Sequence, residues 1–133
     1  MISYTQANKV LDRYFGNVGD TVAGTLYLGL STTAINNDGT GATEPSGGGY
    51  ARVAVTNNKT NWSTSSNGIL NNLTELSFPE STASWGTISH IFLSDSIGGA
   101  PIYFDALTTP RAVQSQTTLI FAINTIQIRM TTV

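Results

Sequence analysis

The sequence predicts a mainly β protein: an antiparallel β-sandwich, jelly-roll or immunoglobulin-like, of six to eight short strands with one N-terminal helix. Three observations carry that expectation. Apolar residues alternate with period 2 in several short runs, as they do on a half-buried strand. Clusters of Gly, Pro, Asn and Ser, the residues that turns require, separate those runs. Apolar spacing near the helical period occurs convincingly only at the start of the chain.

That start predicts a helix over residues 3–15. Ser3 is a good N-cap, Gln6 completes a capping box, and Ile2 is placed to staple onto Ala7. Ala7, Val10, Leu11 and Tyr14 fall on one face, and Gly16 follows as a residue able to take a left-handed C-cap conformation. This face either closes one end of the β-core or docks against a neighbouring subunit; Val10, Leu11 and Tyr14 are its candidate docking residues.

The period then changes to 2. Thr25–Leu30 places Leu26, Leu28 and Leu30 on one strand face. Residues 31–49 form a loop rich in Asn, Gly and Thr, too long for a hairpin and of a length that is usually functional or mobile. Within it Ile35, Asn36, Asn37, Asp38 and Thr40 are candidate contact residues, with Ile35 its one substantial apolar side chain. Further strands are expected over Tyr50–Val55, Ile69–Phe78, Thr87–Leu93, Ile102–Leu107, Thr118–Ile123 and Thr125–Met130. In Thr87–Leu93, alternation sets Ile91 and Leu93 against Ile88, His90 and Phe92. Asn124, tolerant of positive φ, separates the last two runs, where Phe121, Ile123, Ile126, Ile128 and Met130 are expected to be buried. With no repeat or linker, residues 1–133 read as a single domain.

Composition narrows the function. Charged residues are 11% of the 133, well below the roughly 25% of ordinary soluble domains, while Ser, Thr and Asn make up about a third. Such a surface suits a subunit packed among copies of itself, although a turn-rich β domain uses the same residues. The six basic residues are scattered, so nucleic acid is not an expected partner. No run of about 18 apolar residues predicts a membrane span, and no secretory leader is visible, so folding in a cytoplasm is expected. Cysteine is absent, which excludes disulfides and thiolate metal sites.

Chemistry finds little support. The single histidine, His90, sits mid-strand and reads as a half-buried residue bonded to a neighbour, not as a catalytic base on a rim. Glu75 and Glu80 flank Phe78-Pro79, and Asp95 and Asp105 flank Gly98-Gly99, but nothing sets a pair across a cleft. Placing Gly39 at the sixth position of a calcium loop puts Ala34 and Pro45 where carboxylates belong, which leaves only a looser site using Asp38 and Glu44. Gly47-Gly48-Gly49 lacks the lysine of a phosphate loop and serves to turn the backbone into the next strand. No catalysis, cofactor or metal is expected. Trp62, in a polar Asn/Thr/Ser segment, is a candidate surface aromatic for subunit contact or for stacking on a sugar; Trp85 reads as core.

Five pieces in fixed order carry a resemblance: Thr25–Leu30, Gly47-Gly48-Gly49-Tyr50-Ala51-Arg52, Phe78-Pro79, Trp85-Gly86-Thr87-Ile88-Ser89-His90 and Ala106-Leu107-Thr108-Thr109-Pro110. Together the chain resembles a family of small bacteriophage virion proteins described as tail-fibre-like or minor structural proteins. The resemblance implies a virion location, assembly in the host cytoplasm, and a structural role on tail fibre or as a capsid-decorating head fibre. It implies partners among other virion proteins and copies of itself, with a homotrimer expected. The alternative is a receptor-recognition module binding host surface glycans through loop tips.

Overall fold

The computed structural model describes residues 1–130. One helix, α1 (Tyr4–Gly16), precedes eight strands: β1 (Thr25–Ser31), β2 (Val53–Thr56), β3 (Ile69–Asn71), β4 (Leu76–Ser77), β5 (Gly86–Ser94), β6 (Tyr103–Val113), β7 (Ile120–Phe121) and β8 (Gln127–Arg129). All pairings are antiparallel. A four-stranded sheet has the order β2-β1-β5-β6, and two ribbons, β3-β8 and β4-β7, complete the set. The sheet and the ribbons share one core, in which Leu28, Leu30, Val55, Ile88, Ile91 and Leu93 meet Leu76, Phe78, Trp85, Leu119 and Ile126. The result is a sandwich-like β fold whose second layer is made of ribbons.

Local signals account for many boundaries. Ser3 caps the helix by accepting from the Gln6 backbone N–H at 3.3 Å. The other half of the expected capping box does not form, because the Ser3 N–H donates to the Ile102 carbonyl. Ile2 packs on the main core beside Tyr103 and does not act as a helix staple. Asn17, not Gly16, takes the left-handed cap conformation, and the Val18 N–H closes back onto the Asp12 carbonyl. Asn124 has φ +65°, and the glycines at 47, 48 and 49 all have positive φ, as the turn into Tyr50 requires.

Tertiary context redraws other elements. The run expected over Ile69–Phe78 is broken by buried Asn72, whose amide donates to the Thr74 and Ala122 carbonyls and accepts from the Ile126 N–H. A side chain that takes over backbone partners in this way ends a ladder. The strand expected to stop at Leu107 continues to Val113, past Pro110. Pro110 is tolerated because β6 is an edge strand and because residues 107–110 have no partner in the β5 ladder, opposite Ser89. That irregularity shifts the register between Ile88 and His90, so Ile88 joins Ile91 and Leu93 in the main core, contrary to simple alternation. In the last two runs Phe121, Ile126 and Ile128 pack inward, but Ile123 and Met130 are exposed.

A second, smaller cluster lies apart from the main core and joins Ile35, Phe92 and Phe104. Phe92 stands opposite Gly29 across the β1–β5 ladder. A Cβ on Gly29 would come within 2.2 Å of the Phe92 ring. Gly29→Ala is therefore expected to destabilise the fold by about 1–3 kcal/mol through overpacking, measured by denaturant unfolding. A change inside about 0.5 kcal/mol would show that the ring has room to move.

Candidate functional site

The long segment between β1 and β2 is held by its own polar groups. The Ser31 hydroxyl receives the Thr33 and Thr43 N–H groups at 3.2 and 2.9 Å, and Thr32 N–H donates to the Thr43 carbonyl at 2.9 Å. At the tip, the Asp38 carboxylate accepts from both the backbone N–H and the hydroxyl of Thr40, at 3.0 and 2.7 Å, and these bonds hold its pKa below the ordinary carboxylate value. Asn36 donates to the Thr40 hydroxyl at 3.0 Å. Asn36, Asn37, Asp38 and Thr40 are exposed, but Ile35 is buried against Phe92 and Phe104. Ile35 is thus a plug under the loop and not a contact residue on it. Its burial supplies the structural reason for the loop's length that its composition conceals.

Arg52 locks the base of this loop. Its Nε and Nη2 donate to the two Glu44 carboxylate oxygens, each at 2.9 Å, and Nη1 donates to the Ser94 hydroxyl at 2.8 Å and the Gly99 carbonyl at 2.9 Å. The guanidinium carbon also lies 4.8 Å from the centroid of the Phe92 ring. Partial burial pushes the Glu44 carboxyl up, but the bonds from Arg52 and from the Tyr50 hydroxyl outweigh it, so its pKa sits below the ordinary 4.5. Burial likewise pushes the Tyr50 hydroxyl well above its usual range. With its oxygens committed here, Glu44 is not free to join Asp38 in a cation site. Among the described residues there is no cluster of three His, Asp or Glu side chains able to hold a metal.

The motif residues around this lock pack against one another. Tyr50 stacks on Phe78 with centroids 6.2 Å apart and meets Trp85 edge-on at 5.4 Å. The Trp85 indole donates to the Gly48 carbonyl at 2.8 Å, and a side chain at Gly48 would press on the same indole at 3.1 Å. His90 is half-buried, with Nδ1 2.8 Å from the Ser89 hydroxyl. Trp62, expected at the surface, is only 4% exposed and belongs to the main core. The segment around it reads as polar because Asn and Ser there bond the backbone while the indole turns inward.

The helix gives the clearest departure. It contains no buried residue, so it does not close the β-core. Its base is tied down, with the Tyr4 N–H donating to the Asn37 carbonyl at 2.8 Å. Val10 is half-buried, but every residue from Leu11 to Val22 is exposed. Leu11 is 53%, Tyr14 75% and Phe15 86% exposed, and Val18 and Val22 continue the apolar surface. Phe15, Val18 and Val22 extend the candidate docking face beyond the residues that helical spacing selected. Their run of apolar types outside any strand was the available signal. At the base of this arm lies a recess of about 470 Å³ whose walls include Trp62, Leu70, Ile102 and Ile128.

Residues 1–129 match the family described as podophage GP4 fiber I protein gp80. The chain belongs to that family. No curated protein matches it. That family sets the chain among phage fibre structural proteins. None of the helices among the described residues is long and apolar enough to cross a membrane.

Arg52→Ala is expected to cost about 2–3 kcal/mol, because it strands a half-buried carboxylate and frees the loop, the strand end and the turn together. The Glu44 contribution has a defined pH dependence. A folded pKa below the unfolded one stabilises fully above the ordinary 4.5 and is lost as the pH falls through the folded value. The gap in melting temperature between the native protein and Glu44→Gln should therefore be full above about pH 4.5 and close as the pH falls below it. A gap that stays constant over that range would mean the carboxylate is not held as described.

Proposed function

We propose that this chain is a non-catalytic fibre subunit of a bacteriophage virion that works through contacts with copies of itself, as a homotrimer, and with neighbouring virion proteins. The observation that carries this reading is the arm. Five large apolar side chains, Leu11, Tyr14, Phe15, Val18 and Val22, stand in solvent on a segment tied to the body at its base by Tyr4 and farther along by Lys9, 4.0 Å from Asp95. Isolated exposed apolar residues are ordinary, but a contiguous set of this kind marks a protein–protein surface. The charge-poor body, 11% Asp, Glu, Lys and Arg, favours packing among like subunits in the same direction.

The loop tip supplies a second contact. Asn37 and Asp38 are exposed on a turn whose internal bonds hold it in one conformation, so little entropy is lost when it meets a partner. Trp62, the aromatic expected to stack on a sugar, is buried and offers no such platform.

Leu11→Ser with Tyr14→Ser tests the arm. Both positions are exposed, so the melting transition should move by less than the equivalent of about 0.5 kcal/mol, while incorporation into particles, read by immunoblot of purified virions, should fall sharply. Normal incorporation of this variant would sink the arm as a working surface. A large stability loss would instead return the helix to the role of a core lid.

A further inference from the structure

We propose that copies of this chain are joined by exchange of their first residues: Met1, Ile2 and Ser3 of one copy complete the sheet of the next, lying along the start of its β6. This rests on the fibre-subunit reading above and names its partner, a second copy of the same chain, and the segment that passes between them. The docking surface is fully defined. The Phe104 N–H donates to the Met1 carbonyl and the Ser3 N–H to the Ile102 carbonyl, both at 2.9 Å, and Ile2 pairs antiparallel with Tyr103. Ile2 packs on the main core, and Ser3 is wholly buried. β6 is an edge strand, so without this plug its first residues would leave backbone donors and acceptors unpaired beside the core.

The segment that follows makes this plug exchangeable. α1 buries no residue, and residues 11–22 are all exposed. Their bonds close on the arm itself: the Val18 N–H donates to the Asp12 carbonyl at 3.1 Å and Arg13 to the Asp20 carbonyl at 3.2 Å. Among the described residues, hydrogen bonds to the body resume at Ala23 and Gly24, whose carbonyls accept from Asn57 at 2.8 and 2.9 Å. Beyond Tyr4, the arm's ion pair with the body joins the exposed Lys9 and Asp95 at 4.0 Å, and an exposed pair of this kind contributes little. The plug therefore sits on a tether that adds almost nothing to the core. With residues 17–22 extended as a hinge of about 20 Å and α1 adding about 20 Å more, it reaches beyond the roughly 30 Å diameter of a small domain.

Exchange repeats between copies every bond that the plug makes within one, so bonding energy does not separate the two arrangements. Effective concentration does. A tether presents its plug to its own edge at about the millimolar level, and copies held side by side in a fibre meet that level. Contacts between the neighbouring bodies then favour exchange. Each copy gives one plug and receives one, so a ring of three satisfies every plug and every β6 edge.

The Lys9–Asp95 pair allows a test on the unaltered protein, because exchange carries Lys9 across with the plug. Chains labelled with heavy and with light nitrogen are unfolded, mixed in equal amounts, refolded together at high concentration and treated with a carbodiimide, which joins an amine to a carboxylate without a spacer. Exchange predicts Lys9–Asp95 cross-linked peptides that pair one heavy with one light partner as often as they pair like with like. Like pairs alone would overturn the proposal. A second test uses the absence of cysteine. Tyr4 and Asn37 are both exposed and lie side by side, with the Tyr4 N–H on the Asn37 carbonyl at 2.8 Å, so Tyr4→Cys and Asn37→Cys should leave the fold intact. Refolded together and oxidised, the two single variants should form a mixed disulfide dimer, and the double variant should form disulfide-linked oligomers that stop at three. A double variant that closes only on itself, with no mixed dimer from the single variants, would overturn exchange. The fibre reading fails separately: copies that exchange in solution but are missing from purified virions would refute that reading and leave the exchange standing.

Discussion

Arg52 sits where three separately encoded parts of the chain come together, and its five-donor fork is what joins them. Glu44 arrives from the long loop, Ser94 from the end of β5, and Gly99 from the turn that follows it. A lysine could not make this set, because a single ammonium lacks the planar, bidentate geometry that spans a carboxylate and still reaches a hydroxyl and a carbonyl. In a chain with so few charges, the half-buried pair is stable because both partners also find neutral hydrogen bonds. Tyr50 supplies one of these and links the pair to the aromatic group of Phe78 and Trp85. The polar lock and the apolar core therefore form one continuous structure.

That continuity explains how the sheet is covered. The main core takes Leu28, Leu30, Ile88, Ile91 and Leu93. Phe92 and Phe104 form a separate cluster, and the loop must provide its cover. It does so with Ile35, at the end of a segment whose other end Arg52 and Glu44 hold. The Gly29–Phe92–Arg52 stack shows how closely the pieces fit: a glycine makes space for the ring, and the ring supports the guanidinium. With these surfaces covered, Leu11, Tyr14, Phe15, Val18 and Val22 on the arm remain in water.

Much of the local structure was legible in the sequence. Ser3 as cap, the Leu-rich first strand, Asn124 at positive φ, the glycine turn before Tyr50 and the inward Trp85 all follow from preferences acting within a few residues. The same local signals misplaced Trp62 at the surface, since a polar neighbourhood along the chain says nothing about which side chain the tertiary fold turns inward. They also placed Ile88 on the wrong face, because a bulge depends on the partner strand. In the sequence Glu44 entered only as a loose cation ligand and Arg52 only as the end of a motif; their meeting across the Gly47-Gly48-Gly49 turn joins them.

By itself, then, the sequence determined the β class, the single helix, the turn positions and the phage-fibre resemblance, because composition, period and glycine placement act locally or survive as ordered motifs. The tertiary structure decided what each apolar stretch is for. An amphipathic helix has the same pattern whether its face meets the chain's own core or another subunit, and an isoleucine in a polar loop looks the same whether it points out or plugs a sheet. Burial is a relation between distant segments, set by which surfaces the rest of the chain has already covered. Here that accounting took Ile35 and Trp62 inside and left Leu11, Tyr14 and Phe15 in solvent.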